Sequence, residues 1–195
     1  TITQSPQDEL EKPKSEYEEM LSKIEPLISN PDFDAGNEQV RSLIAERVAQ
    51  LIAESQKGYY SHIGEQHIYS GFIHPESTVV RNMMFSAEVK IDDPEIYSEL
   101  LKTIYDFKKT PGWSEKSLRE IVPNAIQYAI GRYFGNHFGS SDTNRRNMDF
   151  YLEEVSSVDA PVPSISELKG KKIGVCAEKS SVAQNLLTFM GIKSK

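Results

Sequence analysis

The chain has a single cysteine, Cys176, among 195 residues. One cysteine excludes an intramolecular disulfide framework and fits a reducing compartment, so a cytoplasmic setting is expected, with export left open. No apolar run approaches the 18 or so residues that a membrane-spanning helix needs, and no membrane partner is expected. The opening stretch, TITQSPQDELEKPK, has no basic segment followed by an apolar run, so no signal peptide is visible there; it also lacks an initiator Met, which leaves a removed leader open. There is no N-x-[ST] sequon. His62, His67 and His74 are spaced by five and seven, which does not match the i,i+4 pair that a helical zinc site uses, so no metal site is expected. Gly131, Gly135 and Gly139 follow no strand, so they read as a helix end and a turn rather than a phosphate loop.

What charge there is sits unevenly. Residues 1–34 hold nine acidic and three basic side chains, a net of −6, and residues 35–195 hold 20 acidic and 19 basic, a net of −1. A nearly neutral body lacks the cationic footprint of phosphate-backbone binding, so no nucleic-acid partner is expected. The acidic segment reads as a solvated helix face or as a docking surface for a basic protein partner.

Hydrophobic spacing organises the chain. Tyr17, Met20, Leu21, Ile24, Leu27 and Ile28 recur by three and four, predicting a helix over residues 14–29 that Asn30-Pro31 ends. Val40, Leu43, Ile44, Val48, Leu51 and Ile52 predict a second helix over residues 37–57, with Gly58 past its end. The two are expected to pair face to face as an antiparallel hairpin. Phe85, Ala87, Val89 and Ile91 alternate with polar residues, as in a half-buried strand, and residues 68–74 suggest a weaker one. Asp93-Pro94 opens a helix with Ile96, Tyr97, Leu100, Leu101, Ile104 and Tyr105 inward. A further helical region covers residues 114–134, and Pro123 is expected to kink or divide it. Ser140 to Thr143 offer caps for a short helix through Glu154, and residues 156–164 read as a loop.

The segment 171–192 carries the chemical signal. Residues 171–175 read as a short strand, and Gly174 permits close backbone approach. From Cys176 the pattern turns helical, with Ala177, Ala183, Leu186, Leu187 and Met190 on one face and Gly191 just past the end. A cysteine at a helix N-terminus meets unpaired backbone N–H groups and the positive end of the macrodipole. Both lower a thiol pKa, as a nucleophile needs. Glu178 in the first turn suits the helix and slightly opposes the thiolate.

Gly174-Val175-Cys176-x-Glu178, followed by Leu186-Leu187 and Gly191-Ile192, resembles the nucleophile helix of the transglutaminase-like (papain-related) superfamily. The resemblance implies that Cys176 opens a helix buried in the core, and that a His and an Asp on later strands complete a Cys-His-Asp triad. All four histidines lie upstream of Cys176, so the chain is expected to be a piece of a longer protein whose His and Asp follow Lys195. LKGKKIGV before a helix also resembles a strand-to-helix turn of periplasmic binding proteins, but nothing upstream of residue 165 supplies their repeated βα units.

The expected fold is therefore α+β and mostly helical. An acidic N-terminal segment with the first helix (residues 1–36) precedes a body (residues 37–195) that ends in the strand and helix around Cys176 and begins a transglutaminase-like core. The expected function is cysteine-dependent acyl transfer or amide hydrolysis on a protein or peptide substrate, with Cys176 as nucleophile and no metal or organic cofactor implied. The alternative is a non-enzymatic interaction module that docks a partner through its acidic helical arm.

Overall fold

The structure is a computed structural model, and it describes residues 14–56, 67–69, 88–135, 138, 164–174 and 176–192. The architecture is mostly helical, with six helices and a two-stranded sheet among the described residues. No described helix is long and apolar enough to cross a membrane.

Helix α1 (Glu16–Ile28) starts on a capping box: the Ser15 hydroxyl accepts the Glu18 N–H, and the Glu18 carboxylate accepts the Ser15 N–H. This satisfies two amides that the first turn cannot pair internally. Helix α2 (Glu38–Gln56) begins where the Asn37 side chain accepts the Val40 N–H. Both helices form where their apolar spacing places them, and Met20, Ile24, Ile28, Val40, Ile44 and Leu51 are buried. Their pairing differs from the expected face-to-face hairpin. Helix α1 packs on α3 (Glu95–Lys109) and α4 (Leu118–Phe134), while α2 packs on α3 and on α6 (Cys176–Phe189). The physical reason is the width of the apolar arc on α3: Ile96, Tyr97, Leu100, Leu101, Ile104 and Phe107 are all buried, and they give both stripes a larger surface than either gives the other. Between α1 and α2 run two ion pairs, Lys23–Glu46 at 3.8 Å and Glu16–Arg47 at 3.3 Å.

Helix α3 follows Pro94, with the Asp93 carboxylate accepting the Glu95 N–H. Helix α4 begins at Leu118 on a second capping box, Ser117 with Glu120, rather than at residue 114. Pro123 neither divides nor ends it. A proline removes the N–H that would reach the carbonyl four residues back, here that of Arg119. That carbonyl instead accepts the Tyr17 hydroxyl of α1 at 3.0 Å, so the missing helical bond is replaced by a tertiary one. Gly135, at φ +87°, closes the helix.

Strands β1 (His67–Tyr69) and β2 (Glu88–Lys90) are antiparallel, with Ile68 opposite Val89. Val89 and Ile91 are buried as their alternation requires; residues 85–87 and 70–74 of the two expected strands lie outside the described residues. So do Gly58 and residues 140–163, which contain the expected helix through Glu154 and most of the expected loop.

The strand expected at residues 171–175 is not formed across its described positions. Helix α5 (Ile165–Lys171) occupies the start of this segment, with Ser164 capping it by accepting the Glu167 N–H, and Ile165 and Leu168 buried. Lys172 then turns left-handed at φ +55°, and the Ile173 N–H returns to the Leu168 carbonyl. The chain thus enters α6 from a helix through a tight turn. One core cluster takes in α1 through α6, so the acidic first helix shares the core of the body.

Candidate functional site

Cys176 is the first residue of α6, as its sequence context predicts. Helix α6 lies against α2, α4 and both strands, and Val182, Leu186, Phe189 and Met190 are fully buried. The inward face matches the expected one only in part: Leu186 and Met190 are buried as expected. Ala183 and Leu187 are only partly buried, while Glu178, Ser181 and Asn185 are buried at spacings of three and four. A helix covered from several sides must bury part of its polar stripe, and each such group then needs a partner.

Asn185 shows how one of them is met. The Tyr97 hydroxyl of α3 donates to Asn185 Oδ1 at 2.9 Å, and the Tyr97 ring stacks on Phe189 with centroids 4.4 Å apart. Burial pushes the Tyr97 hydroxyl far above the ordinary tyrosine range, so it stays a neutral donor. Asn185 Nδ2 is buried with no hydrogen-bond partner. Glu178, two residues after Cys176, is 4% exposed. Sequence reasoning took it for an ordinary first-turn acid; the i, i+3, i+7 spacing of Glu178, Ser181 and Asn185 was the available signal for a buried polar stripe.

The backbone entering α6 is tightly held. Gly174 has φ +124°, a region that side chains other than glycine rarely adopt, and a Cβ there would overlap the Phe138 ring. That ring stacks on Phe134 at 3.8 Å, and Phe134 meets Tyr133 edge-on at 4.7 Å. The Tyr133 hydroxyl donates to Asp93 at 2.6 Å, and the Lys169 ammonium of α5 lies 4.1 Å from the Tyr133 ring centre. An aromatic row thus ties the end of α4 to the backbone two residues before Cys176.

The far end of α6 is capped twice. Gly191, at φ +75°, and Ile192 return their N–H groups to the Thr188 and Leu187 carbonyls, which is the Schellman pattern. The buried Arg47 guanidinium donates to the Phe189 carbonyl at 2.9 Å and the Thr188 carbonyl at 3.1 Å, with Gln50 and Glu16 as its other partners.

Of the four histidines, His67 falls in β1, on the sheet that packs against α6; His62, His74 and His137 lie outside the described residues. Among the described residues no group of three His, Cys, Asp or Glu is placed to hold a metal ion. No protein-family model, curated protein or solved structure matches the chain.

Proposed function

We propose that this chain carries the nucleophile helix of a cysteine-dependent acyl-transfer or amide-hydrolysing enzyme of the transglutaminase-like kind, with Cys176 as nucleophile. The observation that carries the reading is the position of Cys176: it is the first residue of a helix that is packed on α2, α4 and the sheet. The first turn of any helix presents N–H groups without intrahelical acceptors, and the macrodipole adds partial positive charge there. A thiol at that position ionises more readily than a free one.

The chemistry follows from the thiolate. It attacks a carboxamide or ester carbonyl, the tetrahedral intermediate expels an amine or alcohol that takes up a proton, and a thioester on Cys176 remains. Water or a second amine then resolves it. The cycle needs a group that takes the thiol proton and returns one to the leaving amine, within about 2.6–3.2 Å of its partner. The family resemblance assigns that role to a His, oriented by an Asp, on strands that follow the nucleophile helix.

The test is acylation by an activated phenyl ester, read by mass spectrometry and by phenolate release. One acyl group per chain on Cys176, absent in Cys176→Ala, supports the nucleophile. Amide turnover is expected only where such a His and Asp are supplied. Turnover by the 195-residue chain, abolished by Cys176→Ala, would move the base upstream, to His67 or His137. Acylation that ignores Cys176→Ala would leave the other reading, an interaction module whose exposed Glu18, Glu19 and Glu25 on α1 face a basic partner.

A further inference from the structure

Away from Cys176, a cleft of about 940 Å³ runs between α2 and the β2–α3 side of the molecule. Its α2 wall is a helical stripe: Ile44, Ala45, Val48, Ala49 and Ile52 recur at the three-four spacing that puts side chains on one face. Ile44 is buried, Val48 and Ile52 are half-buried, and Ala45 and Ala49 are exposed. At the helical rise per residue this apolar face runs about 12 Å, a little over two turns. The two exposed alanines leave room for a second backbone to come close, since the distance between packed helices is set by the side chains at the contact.

The opposite wall has a different chemistry. Asp92, Asp93, Glu95 and Glu99 line it together with Lys102, and Arg41 is the cation of the α2 wall. The lining thus holds four carboxylates against two cations, and all four carboxylates stand on the β2–α3 side. Each cation also has an acid near it: Asp34 and Arg41 both border Gly36, and Lys102 pulls the Glu99 pKa down against the effect of burial. Asp92 accepts the Ser166 N–H, and Asp93 accepts the Glu95 N–H and the Tyr133 hydroxyl. These donors are neutral and leave both charges in place. The cations behind this wall are loosely placed. Lys169 lies 3.9 Å from the exposed Glu95, and Arg132 lies 3.8 Å from Glu99 but 2.5 Å from Asp106, its closer partner. Exposed pairs at such a length are weak and readily exchanged.

The two walls define an occupant that is apolar toward α2 and cationic toward α3, with both faces running along one axis. An α-helix with an apolar stripe on one side and Lys or Arg on the other has that layout, and docking of such helices in grooves is a common mode of recognition. We propose that this cleft docks a basic amphipathic helix of a protein partner, with its apolar face on Ala45, Val48 and Ala49 and its cations along Asp92, Glu95 and Glu99. The surface is separate from Cys176 and from the exposed acids of α1, so it does not rest on the acyl-transfer reading.

The experiment is fluorescence-anisotropy titration of the 195-residue chain into a labelled 14-residue peptide with Leu at three-four spacing and Lys elsewhere. A shuffled peptide of equal composition and a version with Glu in place of Lys serve as comparisons. The Lys peptide is expected to bind about ten-fold or more tighter than the shuffled one, and the Glu peptide is expected not to bind. Glu95→Gln/Glu99→Gln should weaken the Lys peptide about ten-fold, as loss of two partly screened charges predicts. Glu19→Gln/Glu25→Gln, an equal change of charge on the exposed face of α1, should leave it unchanged. Ala49→Arg, which fills the apolar face with a cation at an exposed position, should abolish binding. Unchanged circular dichroism and melting temperature would show that each variant keeps its fold. No binding of the Lys peptide, equal affinity for the shuffled peptide, an equal loss from the α1 pair, or wild-type binding by Ala49→Arg would each overturn the proposal. So would dodecyltrimethylammonium, below its micelle concentration, binding the cleft as tightly as the peptide, which would make the occupant a small amphiphilic cation.

Discussion

The two ends of α6 are held differently. At the C-terminal end the carbonyls of residues 187–189 all have partners: Leu187 and Thr188 take the N–H groups of Ile192 and Gly191, and Thr188 and Phe189 also take the Arg47 guanidinium. At the N-terminal end the helix opens on a cysteine, with a buried carboxylate two residues later and a glycine at positive φ two residues before. One end is held by paired carbonyls, and the other is where the proposed nucleophile opens the helix. A helix clamped at its C-terminus and fixed where its chain enters presents its first turn with little freedom, which is what preorganising a nucleophile requires.

The contrast can be broken most severely at the clamped end. Arg47→Ala removes a buried cation, strips its hydrogen bonds from the Thr188 and Phe189 carbonyls and breaks the ion pair with Glu16. The expected loss is about 3–5 kcal/mol by urea denaturation. At the reactive end, Gly174→Ala places a side chain in a disfavoured backbone region and into the Phe138 ring. About 2–3 kcal/mol should be lost, together with a change in Cys176 alkylation rate. A variant that lost neither would show that the entry to α6 is not held as described.

Between the ends, Tyr97→Phe should cost about 1–2 kcal/mol by leaving Asn185 Oδ1 buried without its donor. Adding Asn185→Leu should cost less than the sum of the single changes, because each single change leaves one partner of the Tyr97–Asn185 bond buried alone and the double change leaves neither. Additive losses would mean that the two groups do not interact.

The smallest effect lies on the caps. Hydrogen bonds from Ser15 and Ser117 hold Glu18 and Glu120 below the ordinary carboxylate range. Groups with lowered folded pKa values contribute stability above their unfolded value, about 4.3, and lose it as pH falls through the folded value. Glu99, raised by burial, acts in the opposite direction and favours the fold at lower pH. Ser117→Ala should therefore cost more at neutral pH than in acid, as paired melting curves would show. An equal cost at both would remove the cap from the pH dependence.

The sequence made some of this legible and hid the rest for identifiable reasons. Helices α1, α2 and α3 were readable because each carries an uninterrupted three-four stripe, and Cys176 was placed correctly by the change of pattern after Gly174. Helix α5 was missed: it is seven residues long, and its Gly170-Lys171-Lys172 end reads as a turn into a strand. Only the left-handed Lys172, which composition does not announce, redirects it. The path of α4 through Pro123 depends on Tyr17, 102 residues away, supplying a donor to Arg119. No local rule contains that bond. The α1–α2 pairing failed because two stripes name two faces without naming what covers them, and the broad face of α3 covers both. The buried Glu178, Ser181 and Asn185 were missed because polar residues count as solvent-facing until a covering element is known.

The most direct measurement is the rate of Cys176 alkylation by iodoacetamide as a function of pH, with Cys176→Ala as blank. A thiol at the N-terminus of α6, stabilised as thiolate by the first-turn N–H groups and the macrodipole, should titrate with a midpoint clearly below the free-thiol value of about 8.5. A midpoint at or above that value would contradict the nucleophile reading and leave Cys176 as an ordinary packed cysteine.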